Sequence, residues 1–415
     1  MKRYILTFIT ALFILVSCEK EEEPISQGVP FIERVRLSDP ATADSSLSSA
    51  TLGSTLVIVG NNLGSVEAVF INNYRVGVNA AYATNNHLIV SVSDSVPTVA
   101  TDPDVPNVIK VVNPFGEAVY QFQVLPPAPV VEQISNQYAG AGEPITLYGK
   151  YFYFVDSVLF PGDVYLTGDF ASGSGGATLT VTIPPGFDPS GGGDLIVSTK
   201  SGNSQANRAT RFYDGDGMVA DFDTDGALVW PDNWGWGIPN ANITSTAPGI
   251  QPIDGSFGLI NMTLPPDWGW ANEKVINLVN WGGEQIYPTV PPEKYDPGVP
   301  IADFDIRMEV AVSAAASLAG IELQVMYQNE NNTELSANVS LTDFVRSTDG
   351  KWYTVSVPLN TLTNANSRMS TYDDLLKGNA DGQHHLRVVL VNPTPAPVPV
   401  VFAVDNIRVV NAEAD

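Results

Sequence analysis

Gly53-Ser-Thr-Leu-Val-Ile-Val-Gly60 and Gly142-Glu-Pro-Ile-Thr-Leu-Tyr-Gly149 are two versions of one phrase. Each is a run of β-forming residues closed at both ends by glycine, which reads as a short strand between turns. Working outward, further pairs fall into step. Phe70 corresponds to Phe160, and Leu88-Ile-Val-Ser-Val92 to Leu179-Thr-Val-Thr-Ile183, with Pro97 and Pro184 after them. Gly116 corresponds to Gly202, and Phe122 to Phe212. The step is about 89 residues, with roughly seven short strands in each copy, the size and spacing of an immunoglobulin-like sandwich. Neither copy has the cysteine pair or core tryptophan of antibody domains. Leu125-Pro-Pro-Ala-Pro129 between them reads as a stiff linker.

Composition agrees with an all-β chain. The 415 residues include 35 Gly and 31 Pro, scattered between short Val/Ile/Thr runs. No long helical period is present, and Tyr372 to Lys377 makes at most one helical turn. Lys and Arg total 20 against 45 Asp and Glu, a net charge of −25. Such a surface repels nucleic acid, anionic lipid and acidic glycans, so a neutral polymer is the better partner.

The N-terminus reads as a targeting segment. Lys2 and Arg3 precede the short apolar run Tyr4 to Val16, and Leu15-Val-Ser-Cys18 closes it. Cys18 is the sole cysteine, so one chain forms no internal disulfide. Glu19-Lys-Glu-Glu-Glu23 follows as a solvated acidic tether.

Past Tyr213-Asp-Gly-Asp-Gly217 the composition changes. All seven tryptophans lie beyond residue 229, and six of them fall between Trp230 and Trp281. Asp232-Asn-Trp234-Gly-Trp236-Gly and Asp267-Trp268-Gly-Trp270 are near-copies. On a strand, Trp-Gly-Trp would set both indoles on one face, about 7 Å apart. Such flat aromatic faces stack on the C–H face of a pyranose, while amides and carboxylates take its hydroxyls. The expected platform is therefore Trp234, Trp236, Trp268 and Trp270, extended by Trp281 and Tyr287. Asp232, Asn233, Asp267 and Asn272 are the candidates for hydroxyl contacts, with turn formation as their competing role. In each triplet one ring is open to assignment to the core. Trp352 lies in an alternating strand and is expected in the core. Other strand-like runs are Val219 to Phe222, Phe304 to Val312, Ile321 to Tyr327, Leu386 to Val391 and Val400 to Val410.

Asp221-Phe-Asp223-Thr-Asp225-Gly226 matches the opening of a calcium loop. The β-type residues before it argue against an EF-hand, which needs flanking helices. A β-sandwich calcium site using Asp221, Asp223, Asp225 and Asp405 is the metal site the sequence offers, with a plain acidic strand end as the alternative. No other cofactor is implied.

Two other functions compete. A glycosidase needs two carboxylates across a cleft, and Glu273 and Glu284 beside the tryptophans are the best placed. No catalytic motif supports them: the three histidines, His87, His384 and His385, have no metal spacing, and G-x-S-x-G is absent. A protein-binding adhesin would favour aromatics mixed with Arg and Met. Residues 229–285 carry one Lys, no Arg and one Met.

The early glycine, the strand ending in glycine and the late turns Asn113-Pro-Phe-Gly116 and Lys200-Ser-Gly-Asn203 resemble the IPT/TIG family of immunoglobulin-like modules. Ala220-Asp-Phe-Asp-Thr-Asp-Gly226, Gly350-Lys-Trp-Tyr-Thr-Val-Ser-Val-Pro-Leu359 and Phe402-Ala-Val-Asp-Asn-Ile-Arg-Val-Val410 resemble the first and last strands of jelly-roll carbohydrate-binding modules, which lie side by side. Leu15 to Cys18 resembles a bacterial lipobox, and the acidic run after it the export signal of Bacteroidetes surface lipoproteins. Together the chain resembles surface glycan-binding lipoproteins of starch-utilisation-like systems, of the second-binding-protein type found in xyloglucan and β-glucan loci. The resemblance implies a signal peptide (1–17), a tether lipidated at Cys18 (18–27), two immunoglobulin-like spacers (28–125 and 126–213) and a glycan-binding β-sandwich (214–415). It further implies anchoring on the outer face of the outer membrane. It also implies non-catalytic capture of a neutral polysaccharide for nearby hydrolases, a neighbouring glycan-binding lipoprotein and an importer.

Overall fold

The computed structural model describes residues 27–188, 191–214, 217–223, 243–279, 296–313, 317–382 and 384–413. Cys18 and the tether up to residue 26 lie outside them. The architecture is all-β, and it divides into two compact units, one ending at Pro126 and the other starting at Pro127.

The repeated phrase is a strand in both units: Thr55–Asn61 in the first, Pro144–Lys150 in the second. Each is an inner strand of a four-stranded antiparallel sheet that faces a second four-stranded sheet. The registers coincide. Ile58 pairs with Leu88, and the equivalent Leu147 with Leu179. Gly60 and Gly149 each sit beside a bulge in the preceding strand. The closing glycine has a steric cause. A Cβ there would stand 1.8 Å from the Phe31 carbonyl oxygen in the first copy, and 1.9 Å from that of Val130 in the second. The opening glycines, Gly53 and Gly142, hold φ of 79° and 86°, which side chains rarely adopt. Phe122 and Phe212 are both buried, as the repeat requires. One pairing needs correction. Phe160 is buried in its core, but Phe70 points outward, and its buried neighbour Ile71 is the true counterpart. A one-residue slip turns every side chain to the other face.

Among the described residues the second unit has a buried core inside the immunoglobulin-like module and a larger one near the C-terminus, beside two smaller buried clusters. The larger core lies between two six-stranded antiparallel sheets. One sheet is built around the long last strand Val398–Asn411, flanked by Phe304–Ser313 on one side and Phe257–Leu264 on the other. The first strand, Met218–Ala220, also pairs with the last, as the jelly-roll resemblance implies. The second sheet contains Val275–Val279, His385–Val391, Glu322–Gln328 and Glu334–Ser340 in that order. Alternation sends Leu323, Val325 and Tyr327 into the core. The turn at Tyr372–Leu376 is a short helix with a Thr371–Asp374 capping box, and Tyr372 stacks on Phe304 at 4.6 Å. Trp352 differs from expectation. It is only half-buried, on the outer face of the first sheet, edge-on to Phe257 at 5.6 Å, with its Nε1–H on the Gln251 carbonyl.

The immunoglobulin-like module of this unit covers part of that outer face. Gln137 donates its N–H to Thr354 Oγ1 (2.9 Å) and accepts Arg408 at Oε1 (3.1 Å). The Thr354 N–H donates to the Ser135 carbonyl at 2.7 Å. Beneath this cover Arg408 grips Glu309 through two bonds of 2.6 and 2.9 Å, both residues at 0% exposure. Arg307 pairs with Asp305 in the same layer. A cavity of about 510 Å³ opens along the junction, lined by Val130, Ile134, Arg307, Phe344 and Pro358 among others.

Burial of His384 sets an acid limit. The ring is 4% exposed, its Nδ1 lies 3.4 Å from the Tyr327 hydroxyl, and desolvation lowers its pKa to about 4. An unfolded histidine titrates near 6.5. Stability from the neutral ring is therefore present above pH 6.5 and lost as pH falls toward 4, on the order of 3 kcal/mol in all. A His384→Gln variant should show a shallower loss of Tm between pH 7 and 4 than the native chain.

Candidate functional site

Asp267-Trp268-Gly-Trp270 occupies a turn, not the strand expected for it. The strand Phe257–Leu264 stops at Pro265-Pro266, which offer no N–H to a sheet. Asp267 and Trp268 then take φ of 52° and 62°. Left-handed backbone at two successive non-glycine residues is strained by about 1–2 kcal/mol each. Docking holds it in place. The Asp267 N–H donates to the Thr394 carbonyl (2.9 Å) and the Trp268 N–H to that of Asn392 (3.0 Å). Asn392 braces this receiving loop by donating to the Ala396 carbonyl and accepting from Thr394. Gly269 is needed for close approach, since a Cβ there would stand 2.7 Å from Pro265 Cβ.

Trp268 and Trp270 are 51% and 54% exposed, so both rings of this triplet face solvent and neither belongs to the core. Trp270 Nε1–H donates to Asn272 Oδ1 at 2.9 Å. Asn272 thus orients an indole, a role besides the hydroxyl contact expected of it. Lys274, 3% exposed, reaches the Gly269 carbonyl at 2.8 Å and lies 5.5 Å from the Trp270 ring centroid. Burial lowers its pKa. It fastens the turn from below, and the sequence reading missed it. Asp267 is exposed. Trp234, Trp236, Trp281, Tyr287, Asp232 and Asn233 lie outside the described residues.

The receiving loop directly follows the strand His385–Val391, so the turn sits at one end of the second sheet. The outward face of that sheet is a polar ladder beside an apolar strip. Asn338 donates to Glu322 (2.7 Å) and accepts from Gln324 (2.9 Å), while Arg387 binds Asn277 (3.3 Å) and pairs with Glu334. Val275, Val389 and Val391 in that strip are buried, with half-buried Met326 packed against them, so it is covered and not open to solvent. The alternation of His385-Leu-Arg-Val is the sequence signal that sets Arg387 outward. Flat platforms of this kind need no enclosed cavity, and the 510 Å³ cavity described above is lined by other residues.

The acidic candidates gather elsewhere. Asp405 is fully buried, and desolvation, with the nearby charges of Asp254 and Glu309, raises its pKa to about 9. Asp254 is raised too, by desolvation and then by Asp223 and Asp221. Among the described residues no three of His, Cys, Asp and Glu stand in a closed metal-holding arrangement. Met218–Ala220 is a strand, which rules out a helix entering an EF-hand there. Asp225 lies outside the described residues. Of the glycosidase carboxylates, Glu273 is exposed on the turn and Glu284 also lies outside them.

An all-β chain with immunoglobulin-like modules and a C-terminal sandwich displaying exposed indoles has the architecture of a carbohydrate-binding protein. Residues 212–411 match the family model of the surface glycan-binding protein B xyloglucan-binding domain. That is a binding-domain family, not an enzyme family. The chain is 23% identical to an IPT/TIG domain-containing protein of Bacteroides ovatus, covering 97% of each. Two solved structures share the fold. Surface glycan-binding protein PbSGBP-B of Prevotella bryantii is 23% identical with a TM-score of 0.59, over 94% of this chain and 100% of that one. The SGBP-B from a complex xyloglucan utilization locus of Bacteroides uniformis is 19% identical with a TM-score of 0.50, over 92% and 99%. The resemblance to surface glycan-binding proteins with IPT/TIG modules, drawn from the sequence, is borne out.

Proposed function

We propose that this chain captures a neutral β-glucan of the xyloglucan or mixed-linkage type at the cell surface, without cleaving it. The observation that carries this reading is the pair of exposed indoles, Trp268 and Trp270, fixed on a strained, braced turn within the domain matched to a xyloglucan-binding family. A preformed platform loses little entropy on binding. The accessible polar groups Glu322, Gln324, Asn338 and Arg387 are suited to sugar hydroxyls, and the net charge of −25 disfavours acidic polymers. In this reading Trp234, Trp236, Trp281 and Tyr287 extend the platform, with Asp232, Asn233 and Asp267 taking hydroxyls.

A single such site binds at micromolar to millimolar levels, and many copies on one surface gain avidity toward a repeating polymer. Lipidation at Cys18 would tie the chain to the outer membrane, facing outward. The two immunoglobulin-like modules would serve as spacers, and captured glycan would pass to surface hydrolases, a partner glycan-binding lipoprotein and an importer. Affinity electrophoresis in gels carrying neutral or acidic polysaccharides, with a parallel reducing-sugar assay, tests the reading. Retardation by a neutral β-glucan alone, without sugar release, is expected. Sugar release, or retardation in no gel, would refute it.

A further inference from the structure

Two strands pair with the same edge of the long last strand and leave a gap between them. Met218–Ala220 ends with Ala220 opposite Ile407, and the Phe257–Leu264 strand begins pairing with Gly258 opposite Val404. Asp405 and Asn406 lie in the gap, and Asn406 takes φ of 50°. The chain leaving the first of these strands reads Asp221-Phe-Asp223, and the chain entering the second reads Asp254-Gly-Ser256. The two segments touch: the Ser256 N–H donates to Asp223, and a Cβ on Gly255 would stand 1.9 Å from Asp223 Oδ1.

Asp405 supplies the second, independent sign. It is 0% exposed. Its Oδ1 accepts the Asn406 N–H at 2.8 Å, but among the described residues its Oδ2 has no hydrogen-bond donor. A buried carboxylate oxygen left so is strongly unfavourable unless a proton or a cation meets it, and the raised pKa of Asp405 shows how poorly this pocket holds an unmatched charge. Arg408 donates to Glu309, Gln137 and the Asn406 carbonyl, and Arg307 pairs with Asp305. A set made wholly of carboxylate oxygens, on irregular loops that tolerate uneven geometry, suits calcium better than zinc or copper.

We propose that Asp405, with Asp223, Asp254 and Asp221, forms a structural calcium site that pins the first strand and the Asp254 loop to the last strand. These acids do not stand in a closed metal-holding arrangement, so the site would close only as the ion binds, with exposed Asp254 turning inward and Asp223 giving up its bond from the Ser256 N–H. The site is independent of the glycan reading, since none of its residues belongs to the tryptophan turn.

The test uses the full chain, dialysed against a chelator and then titrated with calcium chloride, followed by calorimetry and by thermal unfolding. One ion per chain and a Tm rise of about 5–10 °C at saturation are expected. Asp254→Asn, at an exposed position, should leave the chelated Tm unchanged and remove the calcium-dependent rise. Absence of any calcium effect on the native chain would overturn the proposal. So would a rise that persists undiminished in both Asp254→Asn and Asp223→Asn.

Discussion

Trp268→Ala and Trp270→Ala should each abolish retardation by a neutral β-glucan while moving Tm by no more than about 2 °C. Both rings are more than half exposed, so their removal opens no cavity in the core. Most surface substitutions lie within about 0.5 kcal/mol. Loss of a stacking anchor is different in scale: a central aromatic contributes about 2 kcal/mol or more, a roughly 30-fold loss of affinity. For a weak single site that loss carries the chain below detection. Affinity electrophoresis and thermal unfolding of the same samples read both halves of the expectation. A fall in Tm as large as a core deletion would place the ring in the interior and contradict the platform.

Glu309→Ala should give the opposite pattern. Glu309 takes two bonds from Arg408 and one from Thr354 Oγ1, at 2.9 Å, beneath the immunoglobulin-like module. Removing it leaves a wholly buried guanidinium without its counter-ion, a loss of about 3–5 kcal/mol. For a domain of this size that lowers Tm by roughly 10 °C. A paired Glu309→Met/Arg408→Met change should recover much of the loss, because it removes the stranded charge and keeps the volume. Glycan affinity below the melting range should stay native, since Trp268 and Trp270 lie on another loop. Urea unfolding of the three variants checks the ranking.

The immunoglobulin-like fold was legible because steric demands left residue-level marks. Gly60 and Gly149 are fixed by a backbone carbonyl less than 2 Å from where a Cβ would sit, so the closing glycine appears in both copies. The Phe70–Phe160 pairing misled because two adjacent apolar residues, Phe70 and Ile71, hide which one faces inward. The jelly-roll resemblance of the first and last strands also foretold that they lie side by side.

The site was only partly legible. Trp-Gly-Trp was read with strand periodicity, yet Pro265-Pro266 ahead of it already marked the strand's end. Two left-handed residues then replaced alternation as the means of presenting the rings. Lys274 and the Asn392 loop hold the turn through backbone carbonyls, a contact that no side-chain pattern announces. The charges of Arg307, Glu309 and Arg408 would suggest a solvated strand face. They are buried because a separate module packs over them, which depends on contacts more than 150 residues apart in sequence.

Isothermal titration calorimetry of xyloglucan oligosaccharide into the native chain and into the Trp268→Ala/Trp270→Ala double variant tests the central claim most directly. The account predicts saturable heat with a micromolar to millimolar Kd for the native chain, and none for a double variant of unchanged Tm. A double variant that titrates like the native chain would show that the braced turn is not the platform.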